Sequence, residues 1–224
     1  MRVDLWILEL LKAMLLIPVT LLPIINPVAN ASIFIGMTGG NPSLVRLMAK
    51  QIAVNCWFLL VAALLVGAYV LDFFGISLPI VRVGGGLVVA INGWRLLNDK
   101  VDDSIRATVA EGAAELNDEE IARRSFFPIS FPLTVGPGTI AASIALGTKA
   151  APTPLVYVSS IVAAVVGATL TALVIYASYL FAAPLLRRLG DLGTIVLMRL
   201  AAFILLCVGI EILWSGVAEL LARG

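Results

Sequence analysis

The chain has no histidine at all and only two cysteines in 224 residues. Without histidine it lacks the side chain that most often acts as a general base or metal ligand near neutral pH. Cys56 and Cys207 both fall in apolar stretches, forming neither a CxxC pair nor a secreted disulfide framework. Their setting predicts small core packing. Charge is equally scarce. Asp, Glu, Lys and Arg make up 13% of the chain, about half the share usual in a soluble domain. The net charge is +1, which leaves no basic excess for nucleic acid. An intramembrane enzyme would want histidine, a serine paired with a base, or paired carboxylates within the apolar spans. None is evident, so the chain is expected not to be an enzyme and to need no cofactor or metal.

What is present is apolar: 61% of residues are hydrophobic and the mean hydropathy is +1.06. The reading is an all-α polytopic membrane protein, since a bilayer accepts only segments that satisfy their own backbone groups. The first residues do not suit a cleaved signal peptide. Asp4, Glu9 and Lys12 interrupt the apolar run, and no small-x-small site follows. The N-terminus is expected to be retained, with residues 4–13 an interfacial lead-in or an extension of the first span.

Six spans are predicted. The first, ending near Thr38, is interrupted at Asn26-Pro27. As one straight helix, residues 5–38 would run about 50 Å, against a hydrocarbon core of about 30 Å. Proline has no N–H and disfavours helical angles at the residue before it. Asn26 suits an N-cap and Pro27 a first helical position. The chain should therefore stop at Asn26 and restart at Pro27. The second span is expected at about 51–71 and the third at about 80–97, the latter opening with Arg82 and the triplet Gly84-Gly85-Gly86. A polar loop over 98–125 carries eight of the 14 acidic residues. The fourth span, about 126–148, is broken at Gly136-Pro137-Gly138. A fifth (about 154–181), a loop with Arg187, Arg188 and Asp191, and a sixth (about 194–217) complete the chain.

The breaks are related. A shift of 110 places Pro18 on Pro128, Pro27 on Pro137, Thr38 on Thr148 and Asn26 on Gly136. A shift of 117 places Arg82 on Arg199 and Gly84-Gly85 on Ala201-Ala202. The organisation this suggests is a first three-span repeat over 1–97, an acidic cytoplasmic loop over 98–125, and a second repeat over 126–224. Three spans per repeat force opposite orientations, the inverted plan of secondary transporters, with spans 1 and 4 broken at the midplane. Ten Lys and Arg fall on the side opposite the N-terminus and five on its own side. The positive-inside rule then puts both termini in the periplasm.

A helix N-terminus inside a membrane exposes unpaired N–H groups and a positive dipole end. It is tolerated only where it lines a cavity or is buried in protein. Asn26, Pro27, Asn30, Gly136, Pro137, Gly138 and Thr139 are thus the candidate substrate residues, with Ser32, Thr134 and Ser143 beside them. Two such N-termini facing one space would hold an anionic group such as a carboxylate. Glycines 136 and 138 would let backbone approach a ligand. Glu211 is the one carboxylate well inside an apolar span, although in its outer half, and is a candidate for proton coupling. Arg82 and Arg199 are candidates for gating, or snorkel and pair with Asp72 and Asp191. Asn55 and Asn92 read as interhelical glue.

The segments NPVANASIFIGMTGG (26–40), FGISLPIVRVGGGLVVAINGWRLL (74–97) and FFPISFPLTVGPGTIAASI (126–144) resemble the MarC family of bacterial inner-membrane proteins. The resemblance covers the whole chain, including its length, six spans and acidic loop. Characterised archaeal relatives are described as transporters of small neutral amino acids energised by an ion gradient. The resemblance implies the same here, with proton or sodium coupling and a small neutral amino acid as partner. The oligomeric state, the direction of transport and the coupling ion stay open. A passive channel for small neutral solutes is the alternative, because NPVA is similar to the Asn-Pro-Ala half-helices of aquaporins, although the second break has no Asn. A non-transporting membrane protein is a third reading.

Overall fold

The computed structural model describes residues 2–98, 118–147 and 154–222, and among them every regular element is helical. Most of the predicted acidic loop, together with Thr148 and Lys149, lies outside the described residues. Helix α1 (Arg2–Ile25) carries Pro18 and Pro23 within it, and α2 (Pro27–Thr38) follows after one residue. That residue is Asn26, with a φ of +46°. The break is therefore a left-handed turn at Asn26, which asparagine tolerates better than most residues, instead of the extended N-cap conformation its sequence suggests.

Gly39 and Gly40, both at positive φ, turn the chain into α3 (Pro42–Phe73). Asn41 caps it, its side chain accepting from the Ser43 N–H at 3.1 Å, with Pro42 in the first turn. At 32 residues α3 is a full turn or more longer at its start than the predicted second span, because Arg46 and Lys50 are helical. It ends at Gly75 (φ +66°), where the Ile76 N–H reaches back to the Leu71 carbonyl at 2.9 Å, a glycine-terminated helix end. Helix α4 (Leu78–Asn98) follows.

The second half opens with α5 (Asp118–Arg124) and an irregular coiled segment, Ser125–Thr134. Phe127 and Phe131 are extended there, and each precedes a cis proline, Pro128 and Pro132. The upstream half of the predicted fourth span is thus not an ordinary helix. Prolines four residues apart remove the N–H donors that a helix ladder needs. Its downstream half is α6 (Pro137–Leu146), and the two parts meet at a bend of 66°. Helix α7 (Pro154–Leu180) matches the fifth span. The predicted loop at Arg187–Asp191 is shorter than expected: the chain is helical on both sides of a break at Gly190, where φ is +63° and ψ −179°, and α8 (Ala182–Leu221) is two helices joined there, the second holding the sixth span. Four segments among the described residues are long and apolar enough to cross a bilayer alone: α3, α4, Val156–Leu180 of α7 and Leu192–Leu221 of α8. The bent pair ending in α6 makes a fifth.

Apolar contact gains little in lipid, so membrane helices associate through close backbone approach. The α4–α8 seam is built that way. Gly86 and Gly93 on α4, and Gly209 and Gly216 on α8, are each seven apart and so share a face. A Cβ on Gly86 would fall 2.4 Å from the Leu213 nitrogen, and one on Gly93 would fall 2.5 Å from the Leu206 nitrogen. Gly209 meets Ala90 and Gly216 meets Pro79, so the two helices run antiparallel. Arg82 bridges the same seam to Glu219 at 2.5 Å, in place of the expected Asp72. Gly85 abuts Ala141 of α6, while Gly84 has nothing within 4 Å. The other pairings are α3 with α7, α1 with α7, and α6 against both α4 and α3, with α2 against α8 and α7. The 125–134 segment packs on α3.

Candidate functional site

The two breaks, 110 residues apart in sequence, adjoin in the fold. Asn30 sits in the first turn of α2, and its side-chain amide donates to the Ile25 carbonyl at 3.1 Å and to the Leu133 carbonyl at 3.3 Å. The first carbonyl ends α1; the second belongs to the segment just before the other break. One amide therefore ties the end of α1 to the segment that leads into α6. Asn30 is fixed by the helix restart itself, since its backbone N–H bonds the Asn26 carbonyl at 3.3 Å.

At the second break, Val135 donates to the Ser130 carbonyl at 2.8 Å, and Gly136 is extended before α6 begins. Gly136 has no side chain, so α6 starts without a side-chain cap. Its first free N–H groups belong to Gly138 and Thr139, because Pro137 has none. Thr139 Oγ1 points back to the Thr134 carbonyl at 3.5 Å, and Thr134 Oγ1 shares a 2.8 Å hydrogen bond with the Tyr179 hydroxyl. Phe34 of α2 stacks on Tyr179 with ring centroids 4.7 Å apart. The Asn30 side chain lies beside the same hydroxyl. Asn26, Pro27, Thr134, Gly138, Thr139 and Ser143 are buried, whereas Gly136 is half-buried and Pro137 exposed, so the first break is closed off from the surface and the second reaches it at its proline.

The Ser143 hydroxyl lies one turn further along α6 than Thr139, fully buried and without a hydrogen-bond partner among the described residues. A buried hydroxyl normally finds one. The Ser125 hydroxyl, before the second break, is likewise buried and unpaired among the described residues.

The structure thus brings Asn26, Pro27, Asn30, Gly136, Pro137 and Thr139 into one region. Gly138 stands a little apart in what it faces. A Cβ there would lie 2.1 Å from Val89 Cγ2 of α4, so its smallness serves helix packing directly. Arg82 is committed to Glu219, and Arg199 is exposed on α8. Glu211 is exposed on the face of α8 turned away from α4. By the antiparallel register it stands level with the middle of α4. Cys56 is buried as expected, whereas Cys207 is exposed. Asn55 is half-buried and Asn92 exposed. The side chain of Ser32 lies outside the described residues.

Tyr179 was not foreseen as a site residue. A tyrosine near the end of an apolar span reads as an interfacial anchor, and only the fold turns it inward onto Thr134. Tyr179→Phe removes one interhelical hydrogen bond. Such bonds in membrane proteins average about 0.6 kcal/mol and reach about 1.7 kcal/mol. Unfolding in a denaturing detergent titration should show a loss within that range.

A family model described as MarC family integral membrane protein matches residues 11–221. The chain belongs to the MarC family. It is 33% identical over 219 residues to the UPF0056 inner membrane protein MarC of Escherichia coli K12, covering 96% of this chain and 98% of that protein. The same-named proteins of strains UTI89 and O1:K1 match to the same extent. No solved structure matches the chain. The names of these MarC relatives state an inner membrane and no substrate. Together with the apolar helices, they make this a multi-pass inner-membrane protein.

Proposed function

We propose that this MarC protein is a secondary transporter of small neutral amino acids or similar small zwitterions, held between the two helix breaks. The observation that carries the reading is the Asn30 amide, bonded to carbonyls at both breaks. Separate proline kinks would have no reason to share one residue. The uncapped α6 N-terminus offers N–H donors and positive potential to a carboxylate. The buried Ser143 hydroxyl offers one more contact. No charged side chain is among these residues, which suits a solute without net charge.

In this reading α1 and α2 form a sixth, broken crossing, and the two halves are inverted repeats. Contacts support it by exchanging between halves: α6 lies on α4 and α3 as α2 lies on α8 and α7. Similarly, α1 packs on α7 as the 125–134 segment packs on α3. The helices α4 and α8, and also α3 and α7, pair with their own counterparts. Both termini then face the periplasm, in keeping with the distribution of Lys and Arg.

Uptake of radiolabelled glycine, alanine and larger neutral amino acids into proteoliposomes tests the function, with imposed proton and sodium gradients compared. Saturable accumulation driven by one gradient is the expected result. Non-saturable osmotic flux would make the protein a channel. No uptake, and no thermal shift with any amino acid, would leave it a membrane protein without transport.

A further inference from the structure

A groove of about 400 Å³ runs between α3 and α7, and no residue of the helix breaks lines it. Its walls include Val54, Trp57, Leu173 and Tyr176, with Lys50 at one end. The indole and the threonine hydroxyl inside it are paired. The Trp57 indole donates to Thr169 Oγ1 at 2.9 Å, and that hydroxyl donates to the Val165 carbonyl at 2.7 Å. The remaining lining is apolar and opens beside exposed Val54, Phe58 and Leu173. Such a surface suits an acyl chain and offers nothing to a zwitterion.

The mouth has the opposite character. Lys50 is exposed, and Arg46, one turn earlier on the same face of α3, is exposed as well. The groove pairs Trp57 with Thr169 and Lys50 with Tyr176, so α3 and α7 run antiparallel. The end of α7 therefore lies at the start of α3, and exposed Arg187 and Arg188 follow it within one turn or two. Arg46 and Lys50 stand at the groove's end on α3, and Arg187 and Arg188 follow the adjoining end of α7 in the chain. From Lys50 to Trp57 is seven residues, about 10 Å along a helix, roughly a third of the hydrocarbon thickness. A cation at headgroup level above an apolar slot of that depth is complementary to one anionic lipid.

We propose that the α3–α7 groove binds an anionic phospholipid, one acyl chain lying along Val54, Trp57 and Leu173 and its phosphate on Lys50. Arg46, Arg187 and Arg188 supply the field that selects a negative headgroup. The site is separate from the helix breaks and does not depend on what they transport.

The full-length protein, purified in a neutral detergent, is titrated with phosphatidylglycerol, phosphatidylcholine and chain-free glycerol phosphate. Bound lipid is counted by native mass spectrometry, and stability is followed by thermal unfolding. The expected result is one retained phosphatidylglycerol and a raised Tm, with phosphatidylcholine at least tenfold weaker and glycerol phosphate without effect. Lys50→Gln should bring phosphatidylglycerol down to the phosphatidylcholine level, and Val54→Trp should exclude both lipids by filling the slot. Both positions are exposed, so neither change threatens the core. Equal binding of the two lipids, or unchanged phosphatidylglycerol binding by Lys50→Gln, would overturn the proposal. So would chain-free glycerol phosphate binding as well as the lipid.

Discussion

Gly209→Leu should leave almost no monodisperse protein, and what survives should melt well below the parent. A Cβ at Gly209 falls 2.3 Å from the Ala90 nitrogen and 2.7 Å from its Cα. Both obstacles are backbone, so no side-chain rotation relieves the clash, and α8 must move off α4. That movement also separates Gly86, Gly93 and Gly216 from the partners they pack on. Overpacking typically costs about 1–3 kcal/mol, occasionally more; a seam of four glycines with nothing soft to yield belongs at the top of that range or above. Lipid offers no hydrophobic gain to offset it. Gly84→Leu is the control, because that glycine has nothing within 4 Å. Size-exclusion chromatography in detergent and a thermal melt of both variants decide the matter. If the two variants behave alike, the close α4–α8 approach is not what holds the pair together.

The sequence announced the breaks and the glycines but not their consequences. Asn26-Pro27 and Gly136-Pro137-Gly138 were legible because proline removes a donor wherever it stands, whatever surrounds it. The triplet at Gly84–Gly86 announced a close approach, yet each glycine meets something different: open space, Ala141 and the α8 backbone. Spacing alone cannot say which helix passes on which side. Gly138 shows the same limit. A glycine next to a helix break suggested room for a ligand, whereas the space beside it is taken up by Val89. Gly138→Leu is consequently expected to disturb the α4–α6 contact, which makes it a poor test of the site. The helical start of α8 was hidden for another reason. Arg187, Arg188 and Gly190 read as a polar turn, but the break is confined to Gly190, with helix on both sides of it. Long-range partners were out of reach as well: Arg82 finds Glu219 137 residues away, across a seam that only folding creates.

Asn30→Leu should abolish amino-acid uptake, reducing the initial rate at least tenfold, because it dissolves the joint between the two breaks. Leucine is close in size to asparagine but donates nothing, so the Ile25 and Leu133 carbonyls lose their shared partner. Each unsatisfied buried carbonyl costs about 1–3 kcal/mol, and the ends of α1 and of the 125–134 segment are then free to separate. Because that cost could itself unfold the protein, Ser143→Ala is measured beside it. The Ser143 hydroxyl is buried with no partner among the described residues, so its removal breaks no hydrogen bond there and relieves an unsatisfied group, and stability should be unchanged or raised by up to about 1–3 kcal/mol. Uptake by Ser143→Ala should nevertheless fall through a raised KM, since a contact to substrate is lost and nothing else is. Thermal melts and saturation curves for both variants separate the cases. Unchanged KM in Ser143→Ala with normal rates in folded Asn30→Leu would remove the substrate from the space between the breaks. A raised KM without loss of stability would place it beside the buried face of α6.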